Sequence, residues 1–500
     1  MLGVLVLYAG EVASILALNG GQFFFSLDDA YIHLAVSEQI HALGYGLNPG
    51  EASTPSSSLL WPFVLSVTAG TPLHVATPLV LALLASLATA WLLLGLLRRA
   101  VGPSPRWLSV LIILTVMICL NWIGVAFTGM EHAAHVAAAL AVGVGLVECA
   151  NHRPPPWWLY AGIVFNPLLR YEGLAVAGAA VFVLVWYGHR RPAILCTIAF
   201  ALPLAAFSVI AVRNGLDPLP SSVLVKSDVV NGGGTGMIRT VVESLRVAAR
   251  TPVFALLVVG ALVHLLVQGR KGVTPLHGYV LAVLGAHAIA GQFGWFGRYE
   301  LYAYAAVLPV AVHFAQKAIA ASWRHQDAPR RLVATTVVLV AMTVGYIEVA
   351  ATTPLAARNI YLQQAQMARF ADEHWSEPIA VNDVGLVAYR DGDYVLDLWG
   401  LASQDARKAR ALDNGPDWMH RLAVERGVKA AIIYTDPDWF PDVPSEWEKV
   451  ARMSFTMPRI TAAVPEVTFF ATSREDADRL RAALRQFEST LPAGAALTME

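Results

Sequence analysis

The stretch LHVATPLVLALLASLATAWLLLGLLRR, Leu73 to Arg99, decides the fold class. From Leu73 to Leu97 it contains no Asp, Glu, Lys or Arg, and it ends on two arginines. An apolar run of roughly 17–25 residues is what a helix needs to cross a hydrocarbon core of ~30 Å. The rest of the chain has the same character. Its 500 residues are 56% hydrophobic and only 14% charged, with a mean hydropathy of +0.54. That composition excludes an ordinary soluble domain and predicts a polytopic α-helical membrane protein. The net charge of −1 leaves no basic surface for nucleic acid, so electrostatic arguments have to be local. Cys119, Cys149 and Cys196 all fall within apolar segments. They are expected as small buried hydrophobes, without a disulfide or a Cys-based metal site.

Reading outward for further runs of this kind gives about eleven candidate spans, starting near residues 1, 73, 107, 133, 157, 173, 192, 252, 276, 301 and 332. Basic residues gather at alternating turns: Arg98, Arg99 and Arg106; Arg153; Arg190 and Arg191; Arg270 and Lys271; Arg324, Arg330 and Arg331. The positive-inside rule makes these turns cytoplasmic. The intervening loops are then external, and they hold FSLDDAYIH, TGMEH (128–132), LLRYEG (168–173), the long stretch 213–250 and FGRYE (296–300). The N-terminus has no basic leader and no small-residue cleavage site, so it is read as a retained first span with a cytoplasmic start. Glu11 lies in the middle of that span, where a carboxylate is costly.

From Pro354 onward charges become frequent and apolar runs shorten. EPIAVND, VGLVAYRDGD and YVLDLWG read as strand, helix, strand, and WMHRLAVERG as an amphipathic helix leading to the strand KAAIIYTD. The expected organisation is therefore a transmembrane domain over 1–353, with a long external first loop over 20–72, followed by a soluble extracytoplasmic α/β domain over 354–500.

Within FSLDDAYIHLAVSEQ (Phe25–Gln39), Ser26 or Asp28 can cap a helix running through Tyr31, His33 and Ser37, and because consecutive helical residues point in different directions one Asp can cap while the other faces a cavity. The Gly-, Pro- and Ser-rich GYGLNPGEASTPSSS that follows, with the apolar LLWPFVLS, reads as a loop carrying an interfacial helix. Arg170 and Glu172 sit between two apolar runs, where charges pair with each other or line a wet site. Arg298 has Glu300 as a nearby partner and is surrounded by Trp295, Phe296, Tyr299, Tyr302 and Tyr304, a belt that anchors at the interface or gates it. Lys226 reads as a loop charge. Glu131, His132 and His135 are too few for a metal site by themselves. Asn382 and Asp383 end a predicted strand, where open α/β sheets place ligands.

Taken together, LDDAYIHLAVSEQIHALGYGLNPGE resembles the first external loop of the polyprenyl-phosphate-sugar-dependent glycosyltransferases of the GT-C superfamily. It is most similar there to the terminal arabinofuranosyltransferases of the actinobacterial cell wall and their relatives. Thr128–Glu131 is similar to that group's Gly-Met-Glu turn, Arg170–Gly173 to its Arg-Pro-Glu-Gly turn and Pro220–Lys226 to its Pro-Asn-Thr loop. Gly297–Tyr299 resembles its Gly-Arg-Tyr turn, and Asn382–Gly385 with Asp397–Leu401 the start of its extracytoplasmic tail. Tyr171, Ser221 and Ser222 depart from the group's pattern, as does Ser53-Thr54-Pro55-Ser56 after the first loop.

The resemblance implies an enzyme of the cell envelope in the plasma membrane. It would move a sugar, arabinofuranose being one candidate, from a polyprenyl phosphate to a glycan or lipid-linked acceptor on the extracytoplasmic face, with inversion. Asp28 or Asp29 would be the general base, with Asp28 preferred and the other holding acceptor or a divalent cation. Arg298, Lys226 and Arg170 would meet the departing phosphate. His33, Glu131, Glu172, Tyr299, Asn382 and Asp383 would complete substrate binding. Two other classes fit the same polar residues: a transporter or flippase for lipid-linked glycans, and a non-catalytic assembly partner. Against transport stands the crowding of these residues on one face.

Overall fold

The computed structural model describes residues 1–226, 234–269, 272–412 and 415–500, and it leaves out the side chains of 226 and 234–237. Each of the eleven apolar segments named above starts a helix within a few residues of its expected position. Length separates them. Among the described residues, four helices are long and apolar enough to cross a membrane: His74–Val101, His132–Ala150, Arg190–Arg213 and Leu301–Arg324. Two bent pairs raise this to six. The apolar helices Leu2–Leu18, Arg106–Cys119, Trp157–Leu169, Gly173–Trp186 and Pro275–Ala290 are shorter. At 1.5 Å per residue they fall short of a ~30 Å core, so an apolar start does not by itself make a span and a count of eleven is not established.

Helix His132–Ala150 is the hub of the bundle, packed against Leu301–Arg324, Trp157–Leu169 and Thr77–Val101. Gly143 makes the closest of these approaches possible. A Cβ there would stand 2.3 Å from the Ala306 carbonyl oxygen and about 3 Å from Pro309, as small-residue packing between apolar helices requires. The hub also fixes the polarity of the bundle. At its start Glu131 joins the polar groups of the candidate site, and at its far end Glu148 pairs with Arg99 and, at 3.0 Å, with Arg153. Glu131 with its polar partners and the turns that carry Arg99 and Arg153 therefore occupy opposite ends of one helix of nineteen residues. The three cysteines are free and buried.

The long stretch 213–250, expected as a loop, contains the helices Ser221–Lys226 and Gly234–Arg250. The second bends by 91° into Pro252–Gln268. Pro354 is not a boundary in the backbone, because it lies inside the continuous helix Val344–Leu362. That helix leads through Gln364–Phe370 to a six-stranded sheet. The sheet comprises β1 (Ile379–Val381), β2 (Val395–Asp397), β3 (Ala430–Ile433), β4 (Glu448–Phe455), β5 (Glu466–Ala471) and β6 (Ala495–Met499), in the order β2-β1-β3-β5-β4-β6. The first three strands are parallel and the remaining pairings antiparallel. β1 and β3 are buried along their whole length, as expected for parallel strands covered on both faces. One face packs under helix Arg474–Glu488 through Leu480, Leu484 and Phe487, the other under Asp417–Glu425 through Trp418, Met419 and Leu422.

Candidate functional site

Parallel strands in an open sheet send their carboxyl ends to one edge, and the loops leaving that edge are where ligands are bound. Here β1 is followed by Asn382 and Asp383, β2 by Trp399, and β3 by Tyr434 and the loop that carries Trp439. This edge faces the helix bundle across a cavity of about 800 Å³. The opposite wall is made by Asp29, Arg298 and Tyr299, with Arg239 and Glu243 from the helix Gly234–Arg250.

Asp28 and Asp29 are adjacent in sequence and have separate surroundings. The helix Asp29–His41 has no side-chain cap from Asp28, and Ser26 donates instead to the Phe127 carbonyl, so the expected capping is not found. Asp28 turns to the C-terminal domain, where Oδ2 accepts from the Gly385 amide at 2.6 Å and Oδ1 from the Leu386 amide at 2.8 Å. Burial pushes its carboxyl well above the usual carboxylate range, the nearby Asp383 adds to this, and the two amides act against it. Burial also raises Asp383, which accepts from Gln364 Nε2 at 2.7 Å and from the Tyr434 hydroxyl at 3.0 Å. Two buried carboxyls that close hold a proton between them. Asp29 is the more open of the pair, its side chain 20% exposed, and it receives Arg298 Nη2 at 2.8 Å.

Arg298 therefore pairs with Asp29 and not with its sequence neighbour Glu300, whose carboxylate takes the Tyr346 hydroxyl and the Gly294 amide. The Tyr299 ring lies 5.0 Å from the Arg298 guanidinium and 5.7 Å from that of Arg170. It joins the cavity to a deeper network. Arg170 bridges Glu131 at 2.7 Å and Glu172 at 2.8 Å, and His33 Nε2 stands 3.3 Å from Glu131. Burial alone would raise the Glu131 carboxyl; His33 and Arg170 outweigh it and lower the group. The expected Arg170–Glu172 pair is present, but this network does not line the cavity. Lys226 ends its helix with a side chain outside the described residues. His135 stacks on Tyr302, and no group of three or more metal-type side chains occurs among the described residues.

Several wall residues escaped the sequence reading. Arg239 and Glu243 sit in the stretch taken for a loop, although their spacing puts them on one face of a helix. Trp399 and Trp439 lie in DLWG and DPDWF, where only their distance from the apolar spans marked them. Gln364 carried no signal. Arg298 Nε, Asn382 Nδ2 and Gln364 Oε1 are buried at this wall without a hydrogen-bond partner among the described residues. Such atoms cost free energy unless a ligand or solvent meets them.

The shared carboxyl pair gives a pH dependence with a definite sign. A carboxyl whose folded pKa exceeds its unfolded value contributes stability that is complete below the unfolded pKa, about 4, and is lost as pH rises through the folded pKa. Thermal unfolding followed from pH 4 upward is expected to show a Tm that falls as the Asp28–Asp383 pair gives up its proton. Asp28→Asn, which has no proton to lose, should flatten that fall. A parent Tm that rises through the same range would overturn the shared-proton account.

The chain is similar to known proteins in part of its sequence and in its overall fold. Residues 358–470 match a family described as a domain of unknown function, DUF8728. No curated protein matches the chain. The apo oligosaccharyltransferase of Archaeoglobus fulgidus superposes with a TM-score of 0.50 at 11% identity, over 95% of this chain and 75% of that one. The same enzyme in complex with Zn and sulfate gives 0.47 at 11% identity, over 94% and 73%. The fold is thus similar to that of a membrane oligosaccharyltransferase, from the helix bundle through to the C-terminal sheet.

Proposed function

We propose that this chain is a glycosyltransferase of the GT-C class, embedded in the plasma membrane with its N-terminus cytoplasmic and its C-terminal sheet domain outside. It transfers a sugar from a polyprenyl phosphate to a hydroxyl of a glycan or lipid-linked acceptor. The observation that carries this reading is the Asp29–Arg298 pair, 2.8 Å apart at the wall of a cavity between an apolar bundle and the ligand edge of a sheet. The similarity of fold to an oligosaccharyltransferase supports the same class.

Each group has a chemical task. Asp29, held in place by Arg298, takes the proton of the acceptor hydroxyl while that oxygen bonds to the anomeric carbon. The bond from that carbon to the phosphate oxygen breaks with inversion, and the electron pair leaves on the polyprenyl phosphate. Arg298 and Arg239 lie where this charge develops, and an arginine fork suits a phosphate. The prenyl chain lies along the apolar helices. This assignment reverses the sequence preference for Asp28, whose oxygens are already engaged by two amides and which serves as a latch between domains. Arg170, Glu131, Glu172 and His33 set the position of Tyr299 from behind.

The test is transfer of labelled sugar by the purified full chain in lipid nanodiscs, from a panel of polyprenyl-phosphate hexoses and pentofuranoses, arabinofuranose included, into short glycan acceptors. Label in the glycan with one donor is the expected result and identifies the sugar. No turnover from any donor, with polyprenyl phosphate still bound, would sink the enzyme reading in favour of transport.

A further inference from the structure

We propose that Trp399 and Trp439, together with Asn382 and Gln364, form a subsite for a sugar ring of the acceptor on the sheet side of the cavity. The inference deepens the transferase reading and rests on it for the word acceptor. The two indoles have ring centroids 4.3 Å apart and are tilted by 41°, so they make a wedge-shaped wall and not a closed stack. Both are half-buried and line the cavity.

Trp399 is held unusually firmly for a loop residue. Its amide donates to Asp397 Oδ1 at 2.8 Å, and the same carboxylate closes the turn by accepting from Ala402 at 2.6 Å. Arg410 donates to the Trp399 carbonyl at 2.6 Å and sets its guanidinium 3.5 Å from the ring centroid. Trp439 is braced edge-on by Tyr434 at 5.2 Å. A rigid aromatic wall binds without the loss of side-chain freedom that a mobile one incurs.

The chemistry of the wall selects the ligand. A pyranose or furanose ring has an apolar C–H face that suits an indole, and hydroxyls at its rim. Asn382 Nδ2 offers a buried donor and Gln364 Oε1 a buried acceptor, neither with a partner among the described residues. A prenyl chain against the same wall would leave both unsatisfied. Position agrees: Arg298 and Arg239 are on the bundle side, from which the lipid-linked donor comes, and the tryptophans are on the sheet side.

The experiment is saturation-transfer NMR on the full chain in nanodiscs with mannotriose, maltotriose and an arabinofuranose trimer, and a parallel measurement of undecaprenyl phosphate binding. At least one trisaccharide is expected to receive saturation at ring C–H protons. Trp439→Ala should weaken its binding at least ten-fold and Trp439→Phe less, with undecaprenyl phosphate affinity held within two-fold. Trp399→Ala is the second variant, with the fold of each checked by thermal melting. Absence of binding in the parent, equal binding in the alanine variants, or a loss of undecaprenyl phosphate affinity in their place would overturn the subsite. The readout needs no turnover. Glycan binding through the tryptophans without transfer would therefore uphold the subsite and count against the enzyme reading.

Discussion

Asp29→Asn is expected to lower kcat for sugar transfer by about 10²–10⁴-fold, the range that a positioned general base contributes. The substitution keeps an oxygen facing Arg298 Nη2, so the 2.8 Å contact has a neutral replacement and the fold should persist. What changes is the charge. The Asn amide cannot take the acceptor's proton, whereas Arg298 loses its counter-ion and becomes more attractive to the donor phosphate. The donor KM should therefore stay constant or fall while kcat collapses, the pattern of a group that acts in the transition state and not in ground-state binding. Arg298→Lys should do the reverse, raising the donor KM, because an ammonium cannot reproduce the guanidinium fork. Asp28→Asn should cost transfer less than ten-fold. If Asp28→Asn gives the large loss and Asp29→Asn the small one, the base is Asp28 and the latch reading fails.

The bundle was legible because apolar runs and basic turns are local signals, and each of the eleven segments does start a helix. Whether a helix such as Trp157–Leu169 spans the bilayer is not local. Its thirteen residues start without a side-chain cap and end on the Arg170 amide bonded back to the Asn166 carbonyl, so nothing in its own sequence fixes how it lies in a bilayer. The strand–helix–strand at 379–397 was likewise readable from periodicity. The site was legible in membership, not in pairing. Sequence proximity pointed Arg298 towards Glu300, and only packing brings it to Asp29, 269 positions away. Asp28 looked like a helix cap for the same reason: its partners lie 357 and 358 positions downstream. Trp399 and Trp439 carried no periodic signal because loops leaving a sheet edge follow no period.

Gly385→Ala and Asp28→Ala are expected to loosen the C-terminal domain from the bundle without touching the cavity's cationic wall. A Cβ on Gly385 would stand 2.2 Å from the Asp28 carbonyl oxygen and 2.6 Å from Oδ2. The first neighbour is backbone, so the clash can be relieved only by moving the segment itself. Asp28→Ala acts by subtraction, leaving the two buried amides of Gly385 and Leu386 without their acceptor, a cost of about 2–6 kcal/mol if each orphaned group costs ~1–3 kcal/mol. Hydrogen exchange at the Gly385 and Leu386 amides is the direct measure. Both variants should raise it by at least ten-fold, with exchange in the hub helix His132–Ala150 unchanged. The double variant should lose less stability than the sum of the singles, because with Oδ2 removed the new methyl meets one obstacle in place of two. Full additivity, or unchanged exchange at these amides, would mean that the domains are held elsewhere and that Asp28 is free for chemistry.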